Sequence, residues 1–371
     1  MSQGPAFQEL NNPPVSSIPA SVEDFLQQLA VPTLLRLDGV DQGRCRFVVT
    51  LLHGNEPSGL KAIHQLLLEG FRPQVTTFVA IVSVSSALAE PLFTHRFLPP
   101  LEDMNRLFTS PVAGEQGQLA QALLALIRDH QPEAVIDIHN TSGDGPAFAV
   151  CAAEHDCFYD LAPLFTHRLI ITDIRLGALM EVMDLGCPIL TVECGGANQR
   201  LSDYVAIEGL RRFLTASNLA EAASLPKEEK LALDIYRHPV RLELQKGASL
   251  CYADTPCEGV DITLPTQIDR RNFGIARVDS PLAWLGPKGL DALRLVDARG
   301  QNVIDQYFVA RQGKLFPRVT LKLFMVTTTP RIALSDCLMY AVKESYHQLE
   351  EAPTDDHWPD FFAGVGSLSS G

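Results

Sequence analysis

The 371-residue chain contains no stretch approaching the ~20 consecutive apolar residues that a membrane-spanning helix requires, so no such anchor is expected. Its opening residues, MSQGPAFQELNNPP, lack the basic start and apolar centre of a secretory signal, and no export leader is expected. None of its eight cysteines forms a C-x-x-C pair, and several sit inside apolar runs such as PILTVECGG. That pattern predicts reduced thiols held mostly in the core, and with them a cytoplasmic location. Positive charge is scarce as well. A net charge of -14 argues against a nucleic-acid partner, because neutralising phosphates takes surplus Lys and Arg. It leaves room for a small anionic substrate held by a local arginine cluster. No internal repeat or low-complexity block is visible. What remains is a 46% apolar, 20% charged composition that suits a globular protein with a full core. The length suits one large domain plus a smaller one.

Residues 1–20 are rich in Pro and Ser and are expected to be irregular; SVEDFLQQLA then starts a helix, with Ser21 as its cap. From about residue 44 to 215, apolar runs alternate with helical periodicity. RCRFVVTLL, TTFVAIVSVSS, AVIDIHN, FAVCA, RLIIT and PILTVECGG read as strands. SGLKAIHQLLLEG, GQLAQALLALIRDH and SDYVAIEGLRRFLTA read as helices. Runs that are apolar throughout need cover on both faces. The expected fold is therefore α/β, a mostly parallel mixed sheet flanked by helices. The pattern changes near residue 218, where SNLAEAASLPKEEKLALD reads as a polar, helix-prone connector. Short β-type runs with turn signals fill 235–330, SDCLMYAVKESYHQLEE reads as a final helix, and GVGSLSSG as a frayed tail. The expected division is 1–220 for the α/β domain with an N-terminal extension, and 221–371 for a linker, a smaller β-rich domain and the tail.

Ligands of open α/β sheets bind beyond the carboxyl ends of the strands. Three of the predicted strands end in chemically capable groups: His53 and Glu56 in LLHGNEPSG, Asp137, His139 and Asn140 in DIHN, and Glu193 in VECGG. Each alone has an ordinary reading as a solvated turn or a hydrogen-bonded histidine. Together they would converge on one edge of a parallel sheet. Two His and a carboxylate match the usual ligand count of a catalytic zinc, so His53, Glu56 and His139 are candidate metal ligands. Asp137 and His139 are two apart on a strand and share a face, so Asp137 could accept the other N–H of a ligand imidazole, though of which histidine is undecided. The loop HRFLPPLEDMNRLF adds Arg96, Asn105 and Arg106, and the guanidinium forks of the two arginines suit carboxylate recognition. Its plainer reading is a surface loop in which an arginine pairs with Glu102 or Asp103.

Taken together, HGNEPSG, DMNRLF, DIHNTSG and VECGG resemble the succinylglutamate desuccinylase/aspartoacylase family, a branch of the zinc carboxypeptidase-like hydrolases. The order and rough spacing of the four motifs match over about residues 44–215, and family members also carry a C-terminal β-rich domain. The resemblance implies one Zn2+ per chain on His53, Glu56 and His139, with Glu193 as the catalytic acid/base. It implies Asn105 and Arg106 as binders of a substrate carboxylate. Arg96 resembles an upstream arginine that helps polarise the scissile carbonyl, although the segment from it to Asn105 is longer here. The implied activity is cleavage of the amide of a small N-acyl amino acid.

A second substrate carboxylate in this family is held by an arginine shortly before the catalytic glutamate. Here Met183 stands in that place, and Arg175 falls too early. Glu181 and Asp184 lie close by, which points to a neutral, basic or apolar moiety rather than a second anion. Two alternatives stay open: a metallocarboxypeptidase acting on short peptides, and a non-catalytic zinc-binding relative. The expected partner is a small molecule, with no nucleic acid and no membrane, and a homo-oligomer is left open.

Overall fold

The structure, a computed structural model, describes residues 7–110, 113–219 and 233–344. The strands of its larger sheet are, in chain order, β1 (Gln8–Asn11), β2 (Thr33–Leu37), β3 (Asp41–Thr50), β4 (Val75–Ile81), β5 (Val135–Thr141), β6 (Phe148–Cys151), β7 (Arg168–Ile171), β8 (Ile189–Gly196) and β9 (Asp234–Arg237). In space they run β1-β2-β4-β3-β5-β8-β6-β7-β9. All neighbours are parallel except β2/β4 and β6/β8. This is the mixed, mostly parallel α/β sheet that the apolar runs predict.

Alternation along β3 shows why such runs must be apolar throughout. Val48 packs with α2 (Ser58–Leu68) and α6 (Arg200–Thr215), through Ile63, Leu66, Leu210 and Phe213. Its neighbours Phe47 and Val49 point the other way, toward Leu123 and Ile127 of α4 (Glu115–His130). Both faces are therefore dry, as a parallel sheet between helix layers requires.

Gly59, at the start of α2, lets that helix press on the sheet. A Cβ there would lie 2.2 Å from Thr50 Oγ1 and 2.9 Å from Ile138 Cγ2. Gly59→Ala is accordingly expected to destabilise the fold by about 2 kcal/mol through overpacking. Urea unfolding of the two proteins measures this, and equal stability would mean that α2 seats less tightly than described.

Several expectations from the sequence do not hold. The segment expected to be irregular carries β1, which extends the sheet edge by parallel pairing with β2. The run TTFVAIVSVSS leaves the sheet at Ile81 and turns into a short helix, Val84–Leu88. The large sheet also reaches past residue 220, because Asp234–Arg237 adds beside β7. Most of the predicted connector, 220–232, lies outside the described residues.

The final helix is corrected in part. Pro330–Ser335 is a short helix, but Met339–Lys343 is a strand between Leu321–Phe324 and Val240–Leu244. Its apolar run LMYAV fits a buried central strand as well as a helix, and the neighbouring strands decide. The rest of that prediction and the tail GVGSLSSG lie outside the described residues.

The C-terminal region holds two five-stranded sheets, mostly antiparallel, with an apolar cluster of their own. It meets the large sheet through a cluster shared by both, in which Phe148, Ile170 and Tyr236 pack with Phe324, Tyr340 and Val342. Cys251 and Cys257 form a disulfide, which corrects the expectation of reduced thiols throughout. The spacing C-x5-C gave no sign of it, because strand and turn geometry decide which sulfurs meet. The other six cysteines are free, and Cys151, Cys194 and Cys337 are buried. No helix among the described residues is long and apolar enough to cross a membrane.

Candidate metal centre and active site

β3 ends at Thr50, and the next residue, Leu51, takes a left-handed conformation with φ 55° that turns the chain sharply off the sheet. The turn that follows runs close under the segment after β4. A Cβ on Gly54 would lie 2.6 Å from Ala87 N and 2.7 Å from His95 O, so this glycine is needed for close approach of backbone. The result is a tight loop that presents His53 and Glu56, both buried, at the end of the strand.

β5 lies beside β3 and delivers His139. Ligand atoms of His53, Glu56 and His139 all lie within 4.8 Å of one another, the one such metal-capable group among the described residues. Each imidazole is clamped from behind. Asp103 Oδ1 lies 2.8 Å from His53 Nε2, and Asp137 Oδ2 lies 2.8 Å from His139 Nε2. Both Nδ1 atoms therefore turn inward, 2.8 Å and 2.7 Å from the two oxygens of Glu56. Asp137 thus serves His139, which the sequence left undecided.

The sequence offers Asp103 only as a mate for a nearby arginine, and beside its contact with His53 it is that too: Arg96 Nε donates to Asp103 Oδ2 at 3.0 Å. Arg96 Nη1 also donates to Glu56 Oε1 at 3.1 Å. This arginine is wired into the carboxylates that surround the histidines.

The donor set fits a divalent metal. Four carboxylates, Glu56, Asp103, Asp137 and Glu193, crowd around the two imidazoles, against two guanidiniums, Arg96 and, acting on Asp103, Arg106. A dication would offset that excess of negative charge. His53 Nδ1 is buried and, despite its nearness to Glu56, makes no hydrogen bond among the described residues. Two inward imidazole nitrogens and a carboxylate are ligands that suit zinc.

Burial works against the charged form of Glu56, but His53 and His139 outweigh it and hold the carboxyl well below its usual range. Burial likewise opposes the charge on Asp103, and the hydrogen bond from His53 together with Arg96 overcomes it. His139 is desolvated too, yet Asp137 and Glu56 raise its pKa well above the ordinary value.

Glu193 differs from the other three acids. It stands on β8 in register with His139 on one side and with Phe148 of β6 on the other. Register partners project from the same face, so the three side chains form a row. Its Oε2 is buried with no hydrogen-bond partner among the described residues. Burial pushes its pKa up to about 7, with His139 pulling down and Glu56 pushing up. Glu193 lies outside the His–Glu–His group itself. A carboxyl poised near neutrality, with a buried oxygen that no described residue bonds, beside a metal-capable cluster is suited to proton transfer.

The remaining candidates are placed as follows. Asn105 and Arg106 sit in a single helical turn, Met104–Arg106, held by Asp103, which accepts the Asn105 N–H at 2.9 Å. Asn105 Oδ1 accepts the Leu179 N–H at 3.0 Å, and Arg106 Nη1 donates to the Asn105 carbonyl at 2.8 Å. Asn140 staples elements together, accepting the Ser58 N–H at 3.1 Å and donating to the Gly195 carbonyl at 3.0 Å.

The argument from Glu181 and Asp184 does not hold. Glu181 spends its carboxylate on the N–H groups of Leu176 and Gly177, while Asp184 faces solvent, 3.7 Å from Arg128. Met183 is 66% exposed. Arg175 donates to the carbonyls of Thr172 and Ala152, at 3.1 and 2.9 Å.

No family model and no curated protein matches the sequence. Solved structures do. The fold is that of the succinylglutamate desuccinylase/aspartoacylase structures, in line with the motif resemblance. The succinylglutamate desuccinylase of Vibrio parahaemolyticus is 13% identical with a TM-score of 0.55, covering 88% of this chain and 96% of that one. That of Chromobacterium violaceum is 15% identical with a TM-score of 0.52, covering 84% of this chain and 88% of that one. Murine aminoacylase 3 is 15% identical with a TM-score of 0.50, covering 82% of this chain and 96% of that one.

Proposed function

We propose that this protein is a zinc-dependent amidohydrolase that cleaves the amide of a small N-acyl amino acid. The observation that carries the reading is the buried His53–Glu56–His139 group with Glu193 beside it, whose Oε2 has no hydrogen-bond partner among the described residues. The fold supports it, since the similar structures are named as desuccinylases and an aminoacylase. Zinc held by the two Nδ1 atoms and Glu56 would supply Lewis-acid polarisation of the carbonyl and a more acidic water.

The chain's own residues do the rest. Asp103 and Asp137 fix the imidazoles in orientation and tautomer, and this positioning is what such carboxylates provide. Glu193, with its pKa near 7, takes a proton from the attacking water and returns it to the leaving nitrogen. Arg96, which donates to Glu56 at 3.1 Å, is assigned to the oxyanion, and Asn105 and Arg106 to the substrate carboxylate. A cytoplasmic location belongs to the same proposal. The six free cysteines support it, and the Cys251–Cys257 bond weighs the other way.

The test is metal analysis of the purified protein, coupled to a hydrolysis screen over varied N-acyl amino acids and short peptides. Stoichiometric zinc with turnover of acyl amino acids supports the reading. Peptides as the better substrates would favour a carboxypeptidase, and zinc without any turnover a binding protein. The positioning role of Asp103 has its own readout. Asp103→Asn is expected to weaken zinc affinity about 10- to 100-fold in competition with a chromogenic chelator, with activity recovering at saturating zinc. Unchanged affinity would leave Asp103 as a loop-anchoring residue only.

A further inference from the structure

Resting on the amidohydrolase reading, a second question is what fixes Glu193 at its working distance from the metal-capable group. His53 and Glu56 come from the turn after β3, His139 from β5 and Glu193 from β8, so their relation depends on how three chain segments are joined. The ladder between β5 and β8 does not join them evenly. His139 pairs with Glu193, but Thr141 pairs with Gly196, so one residue of β5, Asn140, spans both Cys194 and Gly195. Such a bulge leaves a residue of the longer strand out of the backbone ladder, just beyond Glu193. Gly195 takes φ 104° there.

The side chain of Asn140 bridges this gap. Successive residues of a strand face opposite ways, so buried Asn140 points away from His139 and toward α2. Its Nδ2 donates to the Gly195 carbonyl at 3.0 Å and to Ser58 Oγ at 2.9 Å, and its Oδ1 accepts the Ser58 N–H at 3.1 Å. Both donors of the amide are therefore used, and its backbone partners fix which way it faces. Asn140 N–H also donates to Glu56 Oε2 at 3.3 Å. Ser58 lies two residues past Glu56, Gly195 lies two past Glu193, and His139 is the residue before Asn140. One amide thus ties all three segments close to the groups they carry. Behind it, Ser58 Oγ donates to Asp203 Oδ1 at 2.7 Å, and Lys61 Nζ donates to Asp203 Oδ2 at 2.8 Å. With its proton directed to Asp203, the Ser58 hydroxyl keeps a lone pair for Asn140.

We infer that Asn140 is a positioning residue that sets Glu193 against the His53–Glu56–His139 group, with Ser58 and Asp203 holding the amide in place. It acts through Glu193, since its own side chain lies on the other face of the sheet. Without the amide, the Gly195 carbonyl loses its donor and the bulge relaxes, carrying Glu193 with it. A displacement of about 1 Å is enough to cost about 100-fold in rate. The two imidazoles are held separately, by Asp103 and Asp137, so the metal should stay.

Asn140→Ala is expected to lower kcat about 100-fold per zinc-loaded molecule, with KM changed less than about threefold. Zinc affinity, read by chelator competition, should stay within about tenfold of wild type. The decisive measurement pairs this variant with Glu193→Gln. If Asn140 acts through Glu193, adding Asn140→Ala to Glu193→Gln should lower kcat by less than about threefold further. An unchanged kcat in folded, zinc-loaded Asn140→Ala overturns the inference, leaving Asn140 a role in stability alone. Equal losses in both backgrounds overturn it too, because the effect would then bypass Glu193. Loss of zinc does the same, by placing the action of Asn140 on the ligands. Should Asn140→Ala not fold, Ser58→Ala carries the test. It is expected to lower kcat about tenfold while Glu193 is present, and an unchanged kcat overturns the inference. Wild-type protein that hydrolyses no acyl amino acid overturns the amidohydrolase reading, and this role with it.

Discussion

Glu193→Gln is expected to keep its zinc and its fold while losing turnover by about 10³-fold, within the range that removal of a general acid/base produces. Geometry makes the expectation sharp. Glu193 lies outside the His53–Glu56–His139 group, so an uncharged isostere removes no metal ligand. Its Oε2 makes no hydrogen bond among the described residues, so the amide disturbs no existing contact. What the amide cannot do is accept a proton from water and deliver it to nitrogen. The measurement is kcat beside zinc stoichiometry. Retained turnover would take Glu193 out of the reaction, and lost zinc would make it a ligand.

His53→Ala is the second large effect, and it has the opposite signature. The substitution removes an inward nitrogen and leaves Asp103 Oδ1 and Glu56 Oε1 without the imidazole that lies between them, 2.8 Å from each. Zinc should be lost at any practical concentration, and activity with it. The fold should weaken as well, by about 3 kcal/mol, because removing one partner from a buried charged network strands the others. Arg96 touches both carboxylates and limits the damage. Metal analysis and urea unfolding of the variant, compared with chelator-treated wild type, read the two effects separately. Full rescue of activity by excess zinc, as expected for Asp103→Asn, would show that His53 is not a ligand.

Much of this site is legible in the sequence because a strand buried on both faces leaves few places for polar groups. RCRFVVT, AVIDIHN and PILTVECGG are apolar runs that break into chemistry only near their carboxyl ends. In a parallel sheet those ends lie along one edge, and His139 and Glu193 meet there in register. Asp103 was not legible, because a loop carboxylate gains its role from the path of the chain around it. The strand Met339–Lys343 escaped for a related reason. An apolar run of that length suits a buried strand or a helix, and the flanking strands of another part of the chain settle it. The Cys251–Cys257 pair and the late addition of Asp234–Arg237 to the large sheet depend in the same way on tertiary neighbours. The assignment from Glu181 failed because a buried carboxylate can serve two backbone N–H groups as readily as a ligand.

The aromatic seam between the large sheet and the C-terminal sheets has a consequence for how this protein can change. Phe148 lies at once in the row beside Glu193 and, with Phe273 and Phe324, in the packing that fastens the C-terminal sheets to the large one. A substitution at Phe148 that reshapes the surroundings of Glu193 also loosens that attachment. Selection for a new substrate and selection for a stable chain therefore act on the same few rings. Drift toward bulkier or charged substrates would require compensating changes elsewhere in the seam, at Phe324 or Tyr340, before it could be tolerated.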